Sequence, residues 1–175
     1  MDQQRMNLFD KEQFYYNMKS LVRKLIKLLI EKQLTVSFAE SVTCGLVSNR
    51  MNCTTGTSDV FMGGVVCYNE AVKTNLLKVD PALIEKYTAE SQEVTDALAI
   101  NLQQLIHADI YVAITGLNAD GGSETPEKPV GTVFFSLLYK GNLVGCRKLF
   151  KGTPKRIKKE ACKQVYKMII SELEK

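Results

Sequence analysis

Three features of this sequence predict an α/β fold, a three-layer α/β/α arrangement around a mixed, mainly parallel sheet. Short apolar segments alternate with segments whose apolar residues recur every three or four positions, the mark of strands interleaved with amphipathic helices. Clusters of turn formers separate them. The last two strand-like segments flank Lys140-Gly141-Asn142, a hairpin signal that adds an antiparallel ribbon to an otherwise parallel-type order. With 175 residues, 45% of them hydrophobic, the chain can bury about 70% of its unfolded surface and sustain a core without disulfide or metal staples.

In chain order, residues 1–10 are polar and read as a loose arm ahead of a single domain over 11–175. Phe14, Met18, Leu21, Leu25, Leu28 and Leu29 recur at helical steps with lysines between them, predicting a long helix that ends near Lys32. Leu34 to Ala39 reads as a short buried strand, followed by the turn Glu40 to Gly45 and a helix over about 44–51. Val60 to Tyr68 is the next strand and Asn69 to Leu77 a short helix. Asp80-Pro81 starts another helix, because Asp caps and Pro suits the first turn. Ser91 to Ile106 is a second amphipathic helix with Val94, Leu98, Leu102 and Ile106 inward. Ile110 to Thr115 is a strand that runs into a Gly- and Asp-rich loop. Val130–Tyr139 and Leu143–Phe150 form the hairpin, and Pro154 to Glu174 closes the chain as a helix with Ile157, Ala161, Val165, Met168, Ile169 and Leu173 inward.

Composition excludes several classes of function. The longest apolar run, Val60 to Tyr68, falls far short of the roughly 20 residues of a membrane span, and the polar N-terminus has no apolar segment behind it, so a cytoplasmic location and no membrane partner are expected. Cys44, Cys53, Cys67, Cys146 and Cys162 form no closely spaced pair and read as reduced thiols. With His107 as the only histidine, no metal site and no cofactor are expected, and the usual histidine-based triads are excluded. From Arg147 to Lys167 basic residues outnumber the single acid Glu160, but no aromatic residues interleave to stack bases. The run reads as a solvated helix face, and nucleic acid is not an expected partner.

Chemistry then has to come from the loops after the strands. Ser41 stands at the end of a buried strand just before a helix, where its hydroxyl is presented and the amides of Thr43, Cys44 and Gly45 can meet an anion; the alternative is that Ser41 and Thr43 only cap the helix. Tyr68, Asn69 and Lys73 follow the next strand. In a chain with one histidine, a lysine made neutral by burial is the base that a nucleophilic serine can use, so Ser41, Tyr68 and Lys73 form a self-consistent set for amide hydrolysis. In the third loop Thr115, the backbone of Gly121 and Gly122, and Lys128 are candidate donors to phosphate or sugar oxygens.

Four segments, Ala39-Glu40-Ser41-Val42-Thr43-Cys44-Gly45, Gly64 to Lys73, Thr115-Gly116 and Pro126-Glu127-Lys128-Pro129-Val130-Gly131-Thr132, resemble in order the motifs of the C-terminal domain of CinA-like competence/damage-inducible proteins. The likeness runs over about residues 14–172 and has the form of a stand-alone domain. It implies nicotinamide mononucleotide deamidation, which releases nicotinic acid mononucleotide and ammonia in pyridine nucleotide salvage, with the family's catalytic residues falling on Ser41, Tyr68 and Lys73. It further implies a nucleotide substrate, no cofactor and a homo-oligomer. The substrate frame implied comprises Glu40, Thr43, Cys44, Gly45, Asn69, Thr115, Gly116, Gly121, Gly122 and Lys128. A family arginine falls on Pro154, which leaves Arg156 or Lys155 as the basic candidates nearby. The alternative reading is a domain of this kind that has drifted to another amide or only binds a nucleotide.

Overall fold

The computed structural model describes the chain from residue 8 to residue 175, with side chains from residue 18 onward. The arm expected over residues 1–10 therefore lies mostly outside the described residues, as does the side chain of Phe14, and residues 8–10 already belong to the first helix. Seven helices and five strands follow one another as α1 (Leu8–Lys32), β1 (Val36–Glu40), α2 (Leu46–Met51), α3 (Thr57–Val60), β2 (Phe61–Val66), α4 (Glu70–Asn75), α5 (Pro81–Tyr87), α6 (Gln92–Leu102), β3 (Ile110–Gly116), β4 (Thr132–Tyr139), β5 (Asn142–Leu149) and α7 (Pro154–Leu173) among the described residues.

The sheet order is β2-β1-β3-β4-β5, with β1 parallel to both β2 and β3, and β3-β4 and β4-β5 antiparallel. Strand alternation splits the core in two. Val36, Phe38, Ile110, Val112, Ile114, Val133, Phe135 and Leu137 meet α1, α2, α3 and α7 on one face. Ala39, Tyr111, Ala113 and Leu138 meet α5 and α6 on the other, with Val72 of α4 packed at the margin. This is the three-layer α/β/α arrangement with a mixed sheet.

Local chemistry explains the element ends. Asp80 and Ser91 cap α5 and α6 through their side chains, and Asn69 caps α4 by accepting from the Ala71 amide at 2.8 Å. Lys140 and Gly141 both have positive φ, 50° and 76°, the geometry of a two-residue hairpin turn that follows strand twist. The strand expected from Val60 to Tyr68 runs only from Phe61 to Val66: Val60 ends the helical turn Thr57–Val60, whose Thr57 hydroxyl donates to the carbonyls of Met51 and Thr54, and the other end gives way to the Asn69 cap of α4. In α7, Tyr166 and Ile170 are as buried as the expected Ile157 and Ile169, whereas Met168 lies at the margin. Lys159, expected on a solvated face, is buried as well. No described helix is long and apolar enough to cross a membrane.

Candidate active site

Parallel strands leave a crevice beyond their carboxyl ends, and β1, β2 and β3 all end on the same side of this sheet. Ser41 prolongs β1, its amide donating to the Ile114 carbonyl at 2.9 Å, and turns the chain toward α2. Cys67 prolongs β2 in the same way, donating to the Glu40 carbonyl at 2.8 Å. From there α4 runs back over the crevice and delivers Lys73, whose side chain is 1% exposed.

The surroundings of Lys73 Nζ define the site. It lies 2.6 Å from the Cys67 carbonyl oxygen, 3.2 Å from the Tyr68 carbonyl oxygen and 3.3 Å from Ser41 Oγ. Burial holds its ammonium pKa below the ordinary lysine value, outweighing the opposite pull of Cys67, Glu90 and Glu70. A neutral amine has two N–H donors and one lone pair, and this cage presents two carbonyls and one hydroxyl. Burial also pushes the Cys67 thiol up to about 11, so the neighbouring sulfur is protonated and inert near neutrality.

A cleft of about 470 Å³ opens over Ser41, with Tyr68, Asn69, Gly116, Gly121 and Gly122 among its lining residues. A second cleft of about 670 Å³ adjoins it and shares Glu70, Ala89, Glu90, Gly121 and Gly122. Of the residues expected to act, Ser41, Tyr68 and Lys73 are brought together, but in different ways. Ser41 and Lys73 meet through side chains, whereas the Tyr68 side chain is 67% exposed in the cleft and its backbone carbonyl is what holds Lys73.

Several expected binding residues are used elsewhere. Glu40 is buried and faces away from the cleft. Its carboxylate accepts from the Val47 amide at 3.0 Å, the Ser48 amide at 2.8 Å and the Ser48 hydroxyl at 2.7 Å, capping α2, whose N-cap residue Gly45 has no side chain to do so. Thr115 is also buried, sharing a 2.7 Å hydrogen bond with Thr95 of α6, and does not line the cleft. Thr43 is buried with its hydroxyl unpaired, and Thr43, Cys44 and Gly45 are absent from the cleft lining. The turn they form is left-handed at Cys44 and Gly45, with φ of 50° and 83°, which swings Cys44 out to the surface. Lys128 does not line the cleft either. Its Nζ donates to Thr88 Oγ1, the Glu90 carbonyl and Ser123 Oγ, pinning the third loop to the α5–α6 connection. Arg156 lies exposed on the first turn of α7, its side chain over Gly152 and outside the cleft lining.

Gly116, Gly121 and Gly122 do line the cleft, and at the first two the backbone requires glycine. At Gly116 a Cβ would come within 2.6 Å of the Thr132 carbonyl; Gly121 has φ of 89°; at Gly122 a Cβ would come within 2.7 Å of Leu117 Cδ2. The amides of Gly121 and Gly122 are already taken, each donating to one carboxylate oxygen of Glu124 at 2.8 Å. Glu124 and Thr95 escape a reading by motif. The available signal for Glu124 was an acceptor side chain two residues beyond a Gly-Gly pair; for Thr95 it was a hydroxyl on the inner face of an otherwise apolar helix.

Comparison with known proteins agrees with this architecture. The family described as the CinA C-terminal domain matches residues 18–173. A CinA-like protein of Prochlorococcus marinus strain AS9601 is 38% identical over 151 residues, covering 85% of this chain and 35% of the relative. A CinA-like protein of Pseudothermotoga lettingae is 41% identical over 123 residues, 70% of this chain and 30% of the relative. The chain thus spans about a third of the length of these relatives. Among solved structures, a competence or damage-inducible protein from Enterobacter asburiae superposes with a TM-score of 0.85 at 26% identity, covering 89% of this chain and 98% of the other. A competence/damage inducible protein from Agrobacterium tumefaciens gives 0.84 at 27%, covering 90% and 96%. With the profile spanning most of its length and the fold shared, the chain belongs to the CinA C-terminal domain family.

Proposed function

We propose that this chain is an amidohydrolase that deamidates nicotinamide mononucleotide, with Ser41 as nucleophile and Lys73 as general base. The observation that carries this reading is the cage around Lys73 Nζ, 2.6 and 3.2 Å from two carbonyl oxygens and 3.3 Å from Ser41 Oγ; once the amine is neutral, the carbonyls can take its two N–H groups and its lone pair is left for the Ser41 hydroxyl. Ser41 Oγ attacks the carboxamide carbon while its proton passes to Lys73. The tetrahedral intermediate expels ammonia, which takes that proton, and leaves an acyl ester on Ser41. Water then attacks the ester, gives a proton to Lys73, and the acid is released as Ser41 recovers its hydrogen. Val42 lines the cleft beside Ser41, and among the described residues its amide meets no protein acceptor, so it is a donor available to the oxyanion. Tyr68 stands in the cleft mouth, where its ring can orient a pyridine.

The test is release of ammonia and nicotinic acid mononucleotide from nicotinamide mononucleotide by the purified protein. Turnover that disappears in Ser41→Ala is the expected result. A folded wild-type sample that releases neither product defeats the assignment.

A further inference from the structure

We propose that Asn69 is a positioning residue for Lys73: its side chain and its carbonyl are spent on α4, and through that short helix they hold the amine over Ser41. The kinetic part of this inference rests on the amidase reading above; the positioning itself rests on geometry. A helix of six residues does not persist in water without packing or caps, and α4 has little packing to draw on. Lys73 is its one buried residue, and Val72 touches a core only at the margin. The cap therefore carries the start of the helix. Asn69 Oδ1 accepts from the Ala71 amide at 2.8 Å, and the Asn69 carbonyl accepts from the Val72 amide at 3.1 Å and the Lys73 amide at 3.4 Å. One residue thus serves three amides of α4, that of Lys73 among them.

Asn69 also joins the two halves of the cage. The carbonyls that meet Lys73 Nζ belong to Cys67 and Tyr68, the two residues before Asn69, and the Lys73 side chain returns to them from the helix just beyond it. Cys67 is anchored to β1 through the Glu40 carbonyl, so a disturbance at Asn69 shifts the amine against its carbonyls and against Ser41 together. The backbone at Asn69 is extended, with φ of −81° and ψ of 146°, which any residue adopts; the position demands a side-chain acceptor and not a special conformation. Ser meets that demand. Asp meets it too, but adds a negative charge near a lysine that already feels Cys67, Glu70 and Glu90, and so holds the amine protonated to higher pH. A neutral cap suits a base that must lose its proton. Asn69 lines the cleft as well, where its amide nitrogen is the group left for a ligand, so the two roles separate by experiment.

Wild type is compared with Asn69→Ser, Asn69→Asp and Asn69→Ala by steady-state kinetics on nicotinamide mononucleotide and by NMR titration of Lys73, followed at its labelled Cε without ligand. Asn69→Ala should lose about fivefold or more in kcat with little change in KM, and its Lys73 should titrate closer to the ordinary lysine value as the amine leaves the cage. Asn69→Ser should recover most of both. Asn69→Asp should move the midpoint of the pH–rate profile and of the Lys73 titration upward together. The inference is overturned if Asn69→Ser loses as much as Asn69→Ala, chiefly through KM, while Lys73 titrates alike in every variant, because Asn69 then serves the ligand and not the base. If wild type releases no ammonia, the amidase reading falls and the Lys73 titration alone decides this one.

Discussion

In the proposed reaction Lys73, 1% exposed, has to take up a proton, and its pH behaviour then carries the same sign for rate and for stability. Only the neutral amine can accept the Ser41 proton, so kcat/KM should rise with pH as Lys73 deprotonates, with a midpoint below the ordinary 10.5. A pH–rate profile checks this; a midpoint at or above the ordinary value would show that burial does not tune the base. For stability, the folded chain releases this proton at lower pH than the unfolded chain. Between the two pKa values the unfolded state binds the extra proton, so wild type should gain stability relative to Lys73→Met as pH rises toward 10.5. Urea midpoints of both proteins across the alkaline range measure the difference. The same variant should lose about 10²- to 10⁴-fold in kcat, since a positioned base is removed.

At the scale of elements, the serine turn depends on what holds the start of α2. Six residues of helix cannot stand alone, and α2 is fixed at its first turn from two sides: Glu40 accepts from Val47 and Ser48, and Tyr166 of α7 donates to the Val47 carbonyl at 2.6 Å. Glu40→Ala should therefore destabilise the protein by about 2–3 kcal/mol, as three donors lose their acceptor. It should also lower kcat without a matching rise in KM, since the carboxylate positions the Ser41 turn and does not line the cleft. Chemical denaturation and steady-state kinetics on one preparation read both; a pure KM effect would return Glu40 to the substrate. Tyr166→Phe removes a buried hydrogen bond to the Val47 carbonyl and should cost about 1–2 kcal/mol.

For the whole molecule, the central sheet carries two cores, and β3 and β4 contribute side chains to both. Phe135 is fully buried in the larger core and packs edge-on against Phe150, with ring centres 6.3 Å apart. Phe135→Ala should cost about 3–5 kcal/mol, most of which is lost burial plus the cavity left behind. If the two faces unfold as one unit, the urea midpoint falls while the slope stays constant. A second transition would show instead that the layer of α5 and α6 unfolds separately from that of α1 and α7.

The sequence by itself determined the α/β class, the hairpin and the order of elements apart from α3, because periodicity, capping residues and turn chemistry are local, and its single histidine made Ser41 and Lys73 the candidate pair. The tertiary structure alone decided how those residues are used. Glu40 sits next to Ser41 in sequence yet points to the opposite side of the sheet, since successive side chains on a strand alternate faces. Thr115 was spent on Thr95 and Lys128 on Thr88, Glu90 and Ser123, partners 20 to 40 residues away in the chain, apart from Ser123 only five away. Tyr68 serves Lys73 through a carbonyl that every residue possesses, so its side chain type gave no hint of that part. Which donors remain for a ligand is what is left after folding has satisfied its own buried polar groups, and that remainder is set by packing between distant segments.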